Sequence, residues 1–156
     1  SDVIFDDDGS GEIADVVSIQ IDQKTKKIFF DFYHCKYSDG IKPGARVKDL
    51  YEVCGQAEKS IIWNDNIIEL IDRMIYRENA RRKSHSSSRF EKGDLNTLNT
   101  IKKMVRSGFE TRLNISIVQP GVSKSKLTES MKQVIISTDS HLIDTYGIRL
   151  SCYFNN

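Results

Sequence analysis

The sequence predicts an α/β domain: a mixed central sheet that contains an antiparallel hairpin and is flanked by helices. Three observations carry this. Residues 13–21 and 27–36 are both rich in β-branched or aromatic residues and are separated by a short polar turn, the pattern of a hairpin. Two helical stripes follow, from Arg46 and from Asp65. The tail from 112 to 154 then reads strand, helix, strand, which favours a parallel pair joined by a crossover.

Taken in order, residues 2–5 read as a short strand, and Asp6 to Gly11 as a loop with turn chemistry throughout. Strands are predicted over 13–21 and 27–36, with Asp22 to Lys26 as the turn. Gly40, Pro43 and Gly44 then break the chain. From Arg46, Val47, Leu50, Val53, Cys54, Ala57 and Ile61 fall on one helical stripe. A second helix is expected from about Asp65 to Lys83. The serine-rich stretch 84–93 reads as a mobile loop. Asp94 is placed to cap a third helix whose inner face is Leu95, Leu98, Ile101 and Val105. Residues 112–118 alternate and are expected to stop at Pro120-Gly121. A helix over 126–137, a further turn at Leu142 and Ile143, and a strand over 148–154 complete the chain.

The 156 residues are enough for one domain with a buried core. With 38% hydrophobic and 29% charged residues, the composition is that of an ordinary globular protein. No linker divides the chain, so residues 1–156 read as a single domain. The start at Ser1, without methionine and directly into an apolar segment, suggests a piece of a longer protein. The apolar runs are far too short for a membrane span, and no membrane partner is expected. Cys35, Cys54 and Cys152 form no CxxC pair. They read as reduced thiols of a cytoplasmic protein rather than as a zinc site or a disulfide framework.

The net charge is only +1, but the charges are segregated. Acids crowd the N-terminus, and bases crowd the middle of the chain. Arg77, Arg81, Arg82, Lys83, Arg89, Lys102 and Lys103 are the candidate nucleic-acid contacts, since affinity for a polyanion comes from such clusters. Asp6, Asp7 and Asp8 lack EF-hand spacing and read as a solvated loop. Gly9-Ser10-Gly11 does not match a phosphate-binding loop.

Strand periodicity puts His34 and Lys36 on one face with Phe30 and Phe32. In an antiparallel hairpin turning near Lys24, Asp15 meets His34 and Lys36, with Glu12 close by. A carboxylate, a second ligand and a lysine suit metal-assisted phosphodiester hydrolysis. There the cation steadies charge that grows in the transition state.

Gly11-Glu12-Ile13-Ala14-Asp15, then a turn, then Phe32-Tyr33-His34-Cys35-Lys36, resembles the signature of the restriction-endonuclease-like PD-(D/E)XK nucleases. The resemblance implies Asp15 as the motif aspartate, Lys36 as its lysine and Cys35 as the free middle position, whose main-chain carbonyl serves as a metal ligand. His34 stands where the family has an acid, and Glu12 where some members carry an extra one. Gln56 matches a glutamine that some members place near the site. The implied catalytic set is Asp15, His34, Lys36 and Gln56. The implied metal ligands are Glu12, Asp15, His34 and Cys35, holding Mg2+ or Mn2+. The implied activity is metal-dependent endonuclease cleavage, DNA being the expected substrate. Such domains occur alone or joined to helicase modules in DNA repair and phage defence, so a linked helicase domain is an expected partner. Because His34 departs from the pattern, a second reading stands beside the first: a degenerate nuclease-fold module that binds nucleic acid or a partner protein without cutting.

Overall fold

A computed structural model describes residues 1–36, 44–84 and 86–156. Six strands form one mixed sheet of order β4-β1-β2-β3-β5-β6, accompanied by four helices. The α/β class with a mixed sheet is therefore as expected. The strands are β1 (Val3–Asp6), β2 (Val16–Asp22), β3 (Lys27–Cys35), β4 (Phe90–Lys92), β5 (Glu110–Ser123) and β6 (Leu150–Asn155). The helices are α1 (Val47–Lys59), α2 (Ile67–Lys83), α3 (Leu95–Arg106) and α4 (Glu129–Tyr146). The breaks expected at Gly40 and Pro43 lie outside the described residues.

Sheet neighbours β2 and β3 are separated by four residues. A parallel pair would need a crossover of a dozen or more, so they form a hairpin. β1 runs antiparallel to β2, with Val3 opposite Ile19 and Phe5 opposite Val17. On the other side the direction changes. The Glu110 N–H donates to the Lys26 carbonyl (2.9 Å) and the Lys36 N–H to that of Val118 (3.2 Å). Both sequence numbers rise together, so β3 and β5 are parallel. β5 and β6 are parallel too, with Ile115 opposite Leu150, and α4 supplies the crossover.

The chain packs into two compact units, each drawn from two stretches: Ser1–Phe32 with Ile62–Leu113, and Tyr33–Ile61 with Asn114–Asn156. In the first, Val3, Phe5, Val17, Ile19, Ile28, Phe30 and Phe32 are buried from the sheet. Leu70, Ile71 and Met74 of α2 and Leu98 and Ile101 of α3 are buried with them in the same unit. In the second, α1 packs on α4, burying Leu50, Val53, Ala57, Met131 and Leu142.

Three expectations are corrected. Residues 84–93 are not simply a loop, because β4 pairs antiparallel with β1 and Phe90 meets Phe5 edge-on at 5.1 Å. β5 does not stop before Pro120. It runs to Ser123, and its ladder with β6 shifts between Gln119 and Ser123, so the exposed proline sits where a missing N–H costs no ladder bond. The tail is one helix, not a helix and a turn. Thr138 is buried in its middle, donating to Glu58 (2.8 Å), and Asp139 accepts the Leu150 N–H (2.9 Å). Asp94 does cap α3, its carboxylate accepting the Thr97 N–H at 2.7 Å.

Candidate metal centre

The loop between β1 and β2 is built from the inside out. Asp7 is fully buried, which overturns its reading as part of a solvated run. Its carboxylate accepts the Ile13 N–H (2.8 Å) and pairs with the Arg77 guanidinium, while Arg89 stands 3.7 Å away. Its own N–H donates to the Asp15 carbonyl (2.9 Å) and closes the loop. Burial lifts the Asp7 carboxyl above its ordinary pKa, against the opposing pull of the Ile13 N–H and the two arginines. Desolvation is the larger effect, as expected for a fully buried acid.

Arginines also hold the loop by its main chain. Arg77 donates to the carbonyls of Ser10 (3.0 Å) and Asp7 (2.9 Å). Arg89 donates to those of Asp6 (2.9 Å) and Asp8 (3.3 Å), and Arg73 to that of Gly11. Gly11 has φ +75°, and a Cβ there would lie 3.0 Å from the Arg73 guanidinium. The left-handed backbone favours glycine here, and a side chain would also press on the Arg73 guanidinium that holds the loop.

The fixed loop turns three carboxylates toward one another. Ligand oxygens of Asp8, Glu12 and Asp15 all lie within 4.8 Å of each other; Asp8 is exposed and the other two are half-buried. Glu12 is steadied by the Gly9 N–H (3.1 Å). Its pKa is raised, first by burial and then by the negative charges of Asp15, Asp8 and Asp7, against the Gly9 hydrogen bond. An all-oxygen set of this kind suits a hard divalent cation. Oxygens about 2.1 Å from one octahedral ion stand about 3.0 Å apart when cis and about 4.2 Å when trans, so a shared ion needs these oxygens drawn closer than the 4.8 Å that bounds them now.

The other expected site residues fall as follows. Glu12 and Asp15 belong to this cluster, and Asp8, which sequence reasoning missed, completes it. No spacing rule would have found it, because the three acids lie on a loop without regular period. His34 lies in the second unit, on the buried face of β3, and is 2% exposed. Its Nε2 is 3.0 Å from Ser60 Oγ, and burial pulls its pKa down to about 4. Lys36 is half-exposed and ion-paired with Glu52 at 2.6 Å. Cys35 and Gln56 are half-buried, on β3 and α1.

Among the basic candidates, Arg77 and Arg89 hold the acidic loop as described. Arg81 donates to the Ser87 carbonyl (2.8 Å), Arg82 pairs with the buried Glu78 (2.5 Å), and Lys102 pairs with Asp72. Lys83 and Lys103 are exposed. Among the described residues no helix is long and apolar enough to cross a membrane. Comparison with protein-family models, curated proteins and solved structures returns no match for the chain.

Proposed function

We propose that this chain hydrolyses nucleic-acid phosphodiester bonds, DNA being the preferred substrate, with Mg2+ or Mn2+ held by Asp8, Glu12 and Asp15. The observation that carries the reading is the convergence of these three carboxylates on a loop fixed by Asp7 and three arginines. The strand order supports it: a hairpin followed by parallel strands agrees with the core that the resemblance to PD-(D/E)XK nucleases implies. A bound divalent ion would polarise the scissile phosphate and favour an attacking water. The three carboxylates would hold that ion and, by their charge, confine it to one place. Asp7 and the arginines would keep the loop from rearranging when the ion leaves.

His34 favours a second reading. It stands where an acid is expected and is buried against Ser60, as a core residue would be. On that reading the chain binds nucleic acid without cutting it. A cleavage assay on labelled DNA and RNA with Mn2+ separates the two. Cleavage by the wild type, reduced roughly a hundredfold or more in Asp15→Asn, supports the first. If Lys36 is the motif lysine that the resemblance implies, Lys36→Ala should lose cleavage to a similar degree while keeping its fold, because an exposed ion pair contributes about 0–1 kcal/mol. Metal-independent binding with no cleavage of either substrate would support the second.

A further inference from the structure

The carboxyl-terminal half of α2 borders a cleft of about 390 Å³ whose lining includes Tyr76, Arg77, Arg81, Ser84, Ser86 and Arg89. Three guanidiniums, two hydroxyls and a phenol share this wall, and among the described residues no carboxylate lines it. Buried Asp7 answers Arg77 and Arg89 from behind, and the charge of Asp6 acts on Arg89 as well, so the acids lie behind the wall and the guanidiniums line it. Burial lowers the Arg89 pKa, and the charges of Arg77 and Arg81 lower it further against the opposing charges of Asp7 and Asp6. Arg77 and Arg81 are four apart and share one helix face. A guanidinium has five N–H donors. Arg81 spends its Nε–H on the Ser87 carbonyl at 2.8 Å and one Nη2 contact on Ser87 Oγ at 3.5 Å, which leaves donors for an incoming anion.

Tyr76 stands beside this cationic wall and is 71% exposed. A large ring left in water next to Arg77 gains nothing for folding, but it offers a flat face on which a base can stack. We propose that this cleft binds single-stranded nucleic acid, with a base on the ring of Tyr76 and a phosphodiester at Arg81. The proposal deepens the reading above, on which it rests for the class of partner, and adds a strand preference and a stacking residue. The cleft also adjoins the acidic cluster, because Arg89 lines the one and donates to the Asp8 carbonyl of the other. A strand held at Tyr76 and Arg81 would therefore enter beside the three carboxylates. A phosphopeptide would use the arginines but leave the ring idle.

Fluorescence anisotropy with a labelled oligothymidylate, in chelator so that nothing is cut, tests this on the whole chain. Tyr76→Ala should weaken binding roughly fivefold to a hundredfold, the range expected for loss of one stacked base, and Tyr76→Phe should restore it. Duplex DNA of the same length should bind more weakly and be indifferent to Tyr76→Ala. Arg81→Gln should weaken single-strand binding and shallow its salt dependence by about 0.7 in the log–log slope, the value for one phosphate contact. Wild-type affinity in Tyr76→Ala, or an equal loss on duplex and single strand, would overturn the proposal. So would displacement of the oligonucleotide by an equimolar phosphoserine peptide. Because no metal is present, binding that survives alongside failed cleavage in Mn2+ counts against the nuclease reading alone.

Discussion

Neighbouring aspartates in the run Asp6-Asp7-Asp8 have opposite fates, and the difference is burial. Asp7 has no exposed surface and faces Arg77, whose side chain is 10% exposed. Removing one partner of a buried pair leaves the other charge uncompensated, at a cost of about 3–5 kcal/mol. Asp7→Ala should therefore lose that much stability in urea denaturation. Asp8→Ala should stay within about 0.5 kcal/mol, because it removes an exposed acid from a repulsive cluster. His34 supplies a pH test. The unfolded side chain protonates near 6.5 and the folded one near 4, so the unfolded state binds more protons between those values. The stability contributed by the neutral form is complete above pH 6.5, drains as the pH falls toward 4, and is gone below it. The loss amounts to about 3 kcal/mol. Denaturation of wild type and His34→Gln across this window should show the wild type losing more stability, with the two curves converging at low pH; parallel curves would remove histidine protonation as the cause. None of these contrasts was legible in the sequence. Three adjacent aspartates look alike until the arginines of a distant helix select one, and alternation put His34 on the Phe30 face without revealing that this face is the core.

At the scale of elements, local rules worked where a side chain acts on its own helix or strand. Asp94 was readable as a cap because its partner, Thr97, is three residues away. Asp94→Ala should destabilise the protein by loss of the cap, read as a drop in denaturation midpoint with unchanged slope. The hairpin was readable for the same reason, since its turn is local. What failed depended on distant partners. β4 has three residues and exists through its pairing with β1 and the Phe5–Phe90 contact. The polar middle of α4 looked like a break, yet Thr138 and Asp139 bond to Glu58 and to the Leu150 N–H. The basic stretch of α2 looked like a surface for a polyanion. Two of its arginines, Arg73 and Arg77, also grip the loop of acids, because arginine can bond several carbonyls at once.

For the whole molecule, the charge segregation seen in the sequence has a structural use: the arginines of the middle hold the acids of the N-terminus. The mixed sheet was legible from the order of elements, and Glu12 and Asp15 were legible as a pair of acids near a strand start. Asp8 was not, because a loop without regular period gives no rule for which side chains converge. The proposed hydrolysis requires a divalent ion at those three carboxylates. Crystals soaked in Mn2+ and measured at its absorption edge test this directly. One anomalous peak is expected about 2.1 Å from oxygens of Asp15 and of Asp8 or Glu12, absent from Asp15→Asn crystals. No peak there in crystals at millimolar Mn2+, or a peak on the His34–Cys35 segment instead, would contradict it.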